Sequence, residues 1–263
     1  MIKKIVILGA GNLAWHFVDK ISKTDINIMQ VFSITHKSAK KLADKYKLPY
    51  TDNPEDISAD ADIYLFMLSD TGLRELSEKF PHKNKTMVHT SGSLPMDIFK
   101  NKTNNYGVLY PYQTFRKEIE MDFSKIPMCI EASDSKTEKE LSDFAETLNC
   151  KYYFFDSEKR KILHIAAVFA CNFMNHSIHL GETILKNNNI DEKLLNPLLE
   201  QSFKNILNFS AKNTQTGPAV RNDNIIINKH IEILKNNSTL QEVYKILSKS
   251  IIEINNNNNE NGK

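Results

Sequence analysis

Short apolar runs alternate with amphipathic stretches along the first 155 residues of the chain. The runs are rich in β-branched side chains, which is typical of strands buried on both faces of a parallel sheet. Strands are predicted at residues 5–8, 27–34, 63–68, 85–89, 105–109, 126–131 and 151–155, and residues 50–51 are predicted to form a short link or strand. Helices are predicted between them at residues 12–20, 38–47, 71–80 and 136–148, with a capped turn or helix around 96–99. This alternation predicts a doubly wound α/β domain over residues 1–155.

The pattern changes at about Asp156, and from there on it predicts helices only. These helices cover residues 158–186, 191–212, 218–236 and 238–254. The middle of the first one, residues 162–174, is apolar nearly all round, so we expect a buried central helix. The low-complexity asparagine tract at 255–259 predicts a disordered tail over 255–263. The chain is therefore expected to join the α/β domain to an all-α domain at 156–254.

Two glycines come directly after the first strand and before the first helix. Gly9 allows a tight turn, and Gly11 lets the backbone approach a pyrophosphate. Ala14 is small enough for close packing of helix on strand, while Asn12 and Leu13 open the helix. The unpaired N–H groups and positive dipole end of that helix attract phosphate groups. Together they predict a Rossmann-type dinucleotide-binding unit; the alternative is a plain strand–helix turn with two glycines.

The end of the second strand distinguishes NAD from NADP in this fold. An acidic side chain there would accept a hydrogen bond from the ribose 2′-OH of NAD and would repel a 2′-phosphate. This chain has Ser33, Thr35 and Lys37 instead. We therefore expect NADP, and NAD is the alternative because no arginine is present to clamp the phosphate. Lys37 is also compatible with an ordinary solvated loop.

Other strands of the predicted sheet end in polar residues at the same edge, where open parallel sheets bind ligands. Leu68 and Ser69 are expected to contact the adenosine ribose or the pyrophosphate of the cofactor. Asp70 could bind there as well, but we interpret it as a helix N-cap. Ser91 lies in a hydroxyl-rich turn at 89–93 that is expected near the nicotinamide, with a simple capped turn as the alternative.

Three further residues are candidates for the substrate pocket. Tyr110 and Gln113 follow the strand that ends before them. Arg221 comes after Gly-Pro, which predicts a turn that starts a helix at Pro218, with Arg221 and Asp223 in its first turns. The planar guanidinium of Arg221 suits a substrate carboxylate; the alternative is an ion pair with Asp223 or with a neighbouring helix.

Polar residues lie on the predicted buried helix. On a wheel of 100° per residue, six of them fall within an arc of about 100°: His164, Cys171, Asn172, Asn175, His179 and Glu182. His164 is a candidate catalytic acid or orienting residue because histidine exchanges a proton near neutral pH; otherwise it is a core histidine bonded to a carbonyl. Asn172 could hold a substrate carbonyl or the nicotinamide amide. No metal site is expected, because the histidine and cysteine spacing does not suit a shared ion.

Composition limits the class of protein. The 263 residues are 41% hydrophobic and 25% charged, as in globular proteins, and the net charge of +2 predicts neither a nucleic-acid nor a membrane surface. No apolar run reaches the length of a membrane span. The three cysteines are odd in number and scattered, which is typical of reduced thiols in a cytoplasmic protein.

Five stretches, spread over nearly the whole chain, resemble a family of bacterial Rossmann-like NADP oxidoreductases with a C-terminal helical domain of unknown function. They are Gly-Ala-Gly-Asn-Leu-Ala at 9–14, His-Thr-Ser-Gly-Ser at 89–93, Tyr-Pro-Tyr-Gln-Thr-Phe at 110–115, His164 with Ala-Cys-Asn-Phe at 170–173, and Thr-Gly-Pro-Ala-Val-Arg-Asn-Asp at 216–223. The family is similar in plan to pyrroline-5-carboxylate reductase, ketopantoate reductase and the deazaflavin-dependent NADP reductases. The resemblance implies an NADP-binding domain, a helical domain that forms a homodimer, and no defined substrate.

These observations support the hypothesis of a cytoplasmic NADP-dependent oxidoreductase. Hydride would pass between the nicotinamide and a small carbonyl, imine or alcohol, with His164 exchanging the proton and Asn172 orienting the substrate. The rival hypothesis is a non-catalytic NAD(P)-binding sensor or partner-binding protein, which needs the phosphate turn but no proton donor.

Overall fold

The computed structural model describes residues 2–260, with side chains through 256. Its sheet has the strand order β3-β2-β1-β4-β5-β6-β7-β8, and all neighbouring pairs are parallel except β6 with β7. The strands are β1 (Lys4–Leu8), β2 (Asn27–Phe32), β3 (Tyr50–Thr51), β4 (Ile63–Phe66), β5 (Thr86–His89), β6 (Tyr106–Pro111), β7 (Met128–Ala132) and β8 (Tyr152–Phe154). The doubly wound α/β fold is therefore confirmed, and strand order reverses between β1 and β4, where such sheets bind nucleotides.

Helices cover the sheet and bury one apolar cluster on each face. They are α1 (Asn12–Ile21), α2 (His36–Tyr46), α3 (Asp70–Lys79) and α4 (Ser135–Thr147), and a 3₁₀ turn covers Met96–Phe99. One cluster includes Phe17 of α1 and Phe144 of α4, and the other includes Phe66 and Phe99. Because β1, β2, β4, β5 and β6 are mutually parallel, their carboxyl ends share one edge of the sheet.

The long helix that follows β8 differs from its prediction. It comprises α5 (Ser157–Ala167), a π-helical segment (Val168–Phe173) and α6 (Met174–Asn187). The predicted burial is wrong for this chain, since Ile162 is 67% and Ile165 is 53% exposed. The apolar residues lie on more sides of the helix than the chain itself covers. The π segment also turns less per residue than an α-helix, so the face calculated for residues 164–182 is not kept across it.

The remaining helices form the C-terminal part of the chain. A 3₁₀ turn (Glu192–Leu195) leads to α7 (Asn196–Phe209), α8 (Ala211–Thr214), α9 (Asn224–Ile233) and α10 (Ser238–Glu260). α9 begins six residues after the predicted Pro218, because Asn222 adopts a left-handed conformation (φ 53°) and Asp223 caps the helix through the N–H of Ile226. Arg221 and Asp223 therefore precede α9 rather than lying in its first turns.

The predicted disordered tail is helical as far as the structure describes it. α10 continues through Glu260, and the side-chain amide of Asn255 donates to the carbonyl of Val220 over 2.9 Å. This tertiary hydrogen bond holds a tract whose composition alone predicts disorder. Residues 261–263 lie outside the described part of the chain.

The chain divides into two compact units, one that ends at Asn172 and one that begins at Phe173. The predicted boundary at 155/156 follows the change of secondary structure, whereas the first unit also includes α5. The reason is that Arg160 of α5 is fully buried against the sheet domain. Within residues 2–260, no helix is both long and apolar enough to span a bilayer.

Candidate functional site

The glycine turn after β1 has the geometry that its sequence predicts. Gly9 has a φ of +139°, and its N–H donates to the carbonyl of Phe32 over 2.7 Å. A Cβ at Gly9 would lie 2.1 Å from the carbonyl oxygen of Met67. Only glycine fits between the ends of β2 and β4, both because of the positive φ and because of this close approach.

The second glycine leaves room for a ligand. Within the described part of the chain, a Cβ built on Gly11 meets no heavy atom within 4 Å outside its own neighbours. Gly11 is also the N-cap of α1, and it provides no side chain to bond the free N–H groups at Asn12 and Leu13. The first turn of α1 carries no acid. An open approach, free donors and a positive dipole end fit a dinucleotide pyrophosphate.

The end of β2 brings together the three residues expected at the 2′-phosphate. Ser33 is half-buried and accepts from the N–H of Thr35 over 3.4 Å, while Thr35 and Lys37 are exposed. Thr35 is the N-cap of α2 but makes no side-chain capping bond. His36, which the sequence did not single out, lies there as well and contacts the Asp52 carboxylate through Nδ1 at 3.2 Å.

The two residues that follow Leu68 after β4, Ser69 and Asp70, differ in their hydrogen bonds from the prediction for α3. Ser69, not Asp70, caps α3, since its hydroxyl accepts from the N–H of Gly72 over 3.3 Å. The capping prediction for Asp70 is therefore wrong. Its carboxylate instead accepts hydrogen bonds from the hydroxyls of Ser91, at 2.8 Å, and Ser93. Asp70 thus ties the loop after β5 to the start of α3.

Ser91 uses its hydroxyl within that loop. Besides donating to Asp70, it accepts from the N–H groups of Ser93 and Leu94, each over 3.1 Å. The Ser91 side chain therefore shapes the turn at 89–93. Leu68, on the neighbouring strand end, is half-buried against the second apolar cluster.

Tyr110 and His164 meet directly, although 54 residues separate them. The Tyr110 hydroxyl lies 3.2 Å from His164 Nδ1, and the two rings are nearly perpendicular with centroids 6.1 Å apart. Gly92 packs against both, because a Cβ there would lie 2.8 Å from His164 Nδ1 and 2.8 Å from Tyr110 Cζ. The lack of a side chain at Gly92 allows this contact.

Burial keeps the Tyr110 phenol protonated. It raises the pKa of Tyr110 to about 12, with Cys129 and Tyr112 adding to the effect and Arg160 opposing it. Cys129 is the cross-strand partner of Tyr110 on β7. A protonated phenol can both donate a hydrogen bond to His164 Nδ1 and accept one from it.

His89 supports the same loop as a neutral imidazole. Burial, aided by the positive charge of Arg160, lowers the pKa of His89 to about 3. The N–H of Ser91 donates to its Nδ1 over 3.1 Å, so the proton lies on Nε2, which donates to the carbonyl of Pro95 over 3.3 Å. His89 therefore bridges the two ends of the loop that carries Gly92.

A buried ion pair that the sequence reasoning missed lies beside these residues. The Arg160 guanidinium donates to Glu131, to the carbonyl of Leu94 and to the Ser157 hydroxyl. Glu131 also accepts from the N–H of Ser157 over 2.9 Å. The available signal was position: Arg160 precedes His164 by four residues, hence by one turn of the same helix.

The other three candidate residues are exposed at the surface of their own units. Gln113 is exposed, and its carbonyl oxygen accepts from the N–H of Thr114 over 2.8 Å. Asn172 is exposed and is the last residue of the first compact unit. Arg221 is exposed in the second unit. Across residues 2–260, no group of three or more His, Cys, Asp and Glu side chains has the arrangement of a metal site.

Family models match both parts of the chain. Residues 4–91 match the model described as NADP oxidoreductase coenzyme F420-dependent, and residues 126–251 match a domain of unknown function, DUF2520. A search of curated proteins finds no match.

Solved structures match over nearly the whole length. A protein of Thermotoga maritima is 21% identical over 97% of this chain and 99% of its own, with a TM-score of 0.72. A 1-pyrroline-5-carboxylate reductase of Streptococcus pyogenes is 12% identical over 95% and 98%, with a TM-score of 0.62. Both show the likeness of fold.

A candidate NADP oxidoreductase of Bacteroides fragilis is much more similar. It is 38% identical over 95% of this chain and 98% of its own, with a TM-score of 0.89. The resemblance seen in the sequence is confirmed. The chain therefore belongs to the family of NADP oxidoreductases that joins an F420-dependent-type nucleotide-binding domain to a DUF2520 domain, and its cofactor is NADP.

Proposed function

We propose that this oxidoreductase acts on a small carbonyl, imine or alcohol, with His164 exchanging the substrate proton. When bound, NADP supplies or accepts a hydride at its nicotinamide. The observation that carries the proposal is the contact of His164 with Tyr110 beside Gly92. It lies at the carboxyl edge of the sheet that also carries the glycine turn after β1.

The hydrogen bond between the two side chains fits a proton donor. Because Nδ1 of His164 faces Tyr110, Nε2 is the nitrogen left for a substrate. In the reducing direction, the imidazolium gives its Nε2 proton to the substrate while its Nδ1–H donates to the Tyr110 oxygen. After transfer, the neutral ring keeps its Nδ1–H, which still donates to the Tyr110 oxygen, and Nε2 is left without a proton. Tyr110 therefore stays hydrogen-bonded to His164 in both protonation states and keeps the ring oriented.

The cofactor-binding assignments follow the strand ends. Gly9, Gly11, Asn12 and Leu13 would hold the pyrophosphate through the turn and the start of α1. The 2′-phosphate would be held by Ser33, Thr35 and Lys37, whose hydroxyls and ammonium group lie around the uncapped start of α2. Leu68 and Ser69 would flank the adenosine side, and the loop of Ser91 would flank the nicotinamide side.

The substrate is proposed to carry a carboxylate. Arg221 is exposed and has a planar guanidinium, which binds carboxylates through two parallel hydrogen bonds. Gln113 and Asn172 are exposed amides that can orient a carbonyl group. A preference for carboxylate-bearing compounds in a substrate screen would support the assignment of Arg221.

We further propose that the helical part of the chain forms a homodimer. Large apolar side chains are exposed on it, among them Leu207 at 85% and Leu198 at 63%. Exposed apolar surface of this extent marks an interaction surface. Leu207→Glu should shift the protein from dimer to monomer in light scattering, and a monomeric wild-type protein would contradict the proposal. The free thiols of Cys129, Cys150 and Cys171 support a reducing, cytoplasmic location.

The central experiment combines cofactor titration with a substrate screen. Nicotinamide fluorescence measures the binding of NADPH and of NADH, and absorbance follows NADPH consumption with a panel of oxo acids, cyclic imines and aldehydes. We expect NADPH to bind more tightly, and we expect His164→Ala to lower turnover by about 10²–10⁴-fold with little change in NADPH affinity. Unchanged turnover in His164→Ala would remove this residue from the mechanism. NADPH binding without turnover of any compound would favour the non-catalytic sensor.

A further inference from the structure

The buried Arg160 links two elements that meet at His164, namely α5 and the loop after β5. Arg160 is on α5, four residues before His164. Its guanidinium also donates to the carbonyl of Leu94, two residues after Gly92 in the loop that follows β5. Gly92 in turn packs against the His164 ring. A single side chain therefore joins the helix that carries His164 to the loop against which His164 rests.

The sheet fixes the position of this arginine. Glu131 accepts from the Arg160 guanidinium and also from the N–H and hydroxyl of Ser157, at the first turn of α5. Glu131 and Cys129 are two residues apart on β7, so their side chains share one face of the sheet. Cys129 is the partner of Tyr110. The start of α5 is thus anchored on the face that also presents the Tyr110 ring.

We propose that Arg160 and Glu131 are positioning residues, which set the height and rotation of α5 so that His164 Nδ1 meets the Tyr110 hydroxyl. The inference rests on the proposed role of His164. Side chains four residues apart on a helix lie on the same face, about 5–6 Å from each other at Cβ. A shift of α5 at Arg160 therefore moves His164 by a similar amount.

A contribution to folding stability does not by itself explain why Arg160 and Glu131 are buried together. Both charges lose hydration on burial, and well-packed apolar replacements of such pairs are often neutral or stabilising. Moreover, within the described residues, the Nε–H of Arg160 has no hydrogen-bond partner. An arrangement that leaves a buried donor unsatisfied carries a cost to folding, whereas its three other hydrogen bonds fix the geometry of the helix and the loop.

The experiment compares the wild type with three variants by ¹⁵N NMR of labelled histidine, and a fourth variant assigns the signals. The ¹⁵N shifts of Nδ1 and Nε2 report the tautomer and the hydrogen bonding of His164, whose signals are assigned with His164→Asn. The test variant is the double substitution Arg160→Met with Glu131→Leu, which removes both charges together. Tyr110→Phe provides the signature of a lost hydrogen bond. Lys161→Met is the matched control, because Lys161 is the next residue of α5 and pairs with Glu158 on the same helix.

The expected results separate positioning from folding. We expect the double variant to melt cooperatively, as the wild type does, while its His164 signals move to those of Tyr110→Phe. Lys161→Met should keep the wild-type signals. Once a substrate is identified, the kcat of the double variant should be about 10²-fold lower than that of the wild type, with a smaller change in KM. A folded double variant with wild-type His164 signals would overturn the inference.

Two further outcomes are distinguishable. Should the double variant not fold, Arg160→Lys keeps the charge but loses the planar fork, and its His164 signals decide the matter by the same criterion. The NMR measurement needs neither cofactor nor substrate. It therefore stands even if His164→Ala proves fully active, in which case the proposed function fails while the positioning of His164 is still tested.

Discussion

Gly92→Ala tests the geometry of the proposed site with the addition of one methyl group. The new Cβ would lie 2.8 Å from both His164 Nδ1 and Tyr110 Cζ, whereas ordinary contact begins at 3.4 Å. Both neighbours belong to rigid rings, so each ring must retreat by about 0.6 Å, the difference between these distances. The hydrogen bond between them is already 3.2 Å long. A further displacement of this size takes it beyond hydrogen-bonding range.

The expected effect on stability is moderate. Overpacking lowers the free energy of unfolding by about 1–3 kcal/mol. The lower conformational entropy of the unfolded variant offsets about 0.4–1 kcal/mol of this loss, because the φ of Gly92 is not positive and alanine can adopt its backbone conformation. The melting temperature should fall by about 2–4 °C per kcal/mol of net loss for a chain of this size. The fold survives, so the site can be measured in the variant.

The assay follows melting temperature, NADPH affinity and the histidine ¹⁵N signals together. We expect a lower melting temperature, the His164 signature of Tyr110→Phe, and turnover reduced by about 10²-fold. Gly181→Ala is the control, because Gly181 lies within α6 and a Cβ there meets its nearest neighbour, Leu195, at 3.6 Å. That control should gain about 1 kcal/mol from helix propensity. Wild-type stability and wild-type His164 signals in Gly92→Ala would refute the packing argument.

Three other predictions concern the cofactor turn, the loop histidine and the phosphate specificity. Gly9→Ala should abolish folding or cost more than about 3 kcal/mol, because its Cβ would lie 2.1 Å from the Met67 carbonyl; Gly11→Ala, in open space, should melt as the wild type does but bind NADPH more weakly. The pKa of His89 is about 3 in the folded state, below its value in the unfolded chain. Between these two values only the unfolded state binds the proton, so the free energy of unfolding decreases as the pH is lowered, by up to about 1.4 kcal/mol per pH unit. His89→Gln should flatten this slope between pH 6 and 5 in urea titrations, and an unchanged slope would contradict the burial argument. Lys37→Glu should weaken NADPH binding in the fluorescence titration and leave NADH binding nearly unchanged; equal loss of both would place the 2′-phosphate elsewhere.

Local sequence determined the α/β half of the molecule. Buried strands of a parallel sheet read as apolar runs, and each element of a βαβ unit is specified by residues next to one another in the chain. The turn at Gly9 and Gly11 could be predicted for the same reason, since its φ, its close approach and the following helix are all local. The strand ends then follow, because parallel strands place their carboxyl ends on one edge.

The structure differs from the sequence predictions where a residue has more than one possible partner. The sequence predicts that Asp70 caps α3, but the adjacent Ser69 caps it, and the hydroxyl of Ser91, from the loop after another strand, donates to Asp70. The apolar sequence of residues 162–174 predicts a buried helix, but the chain itself leaves Ile162 and Ile165 exposed. An apolar sequence indicates that a surface is to be covered; it does not indicate what covers it. Asn255 lies in a low-complexity tract and is nevertheless held in α10 by Val220, 35 residues away.

The sequence alone determined a dinucleotide-binding sheet and singled out Tyr110 and His164 as separate candidates. Only the tertiary structure decided that these two side chains touch, that Gly92 leaves the space for them, and that Arg160 and Glu131 lie together beneath the helix. The physical reason is range: strands, turns and caps are set by neighbours along the chain, whereas a hydrogen bond between side chains 54 residues apart depends on the packing of every element between them.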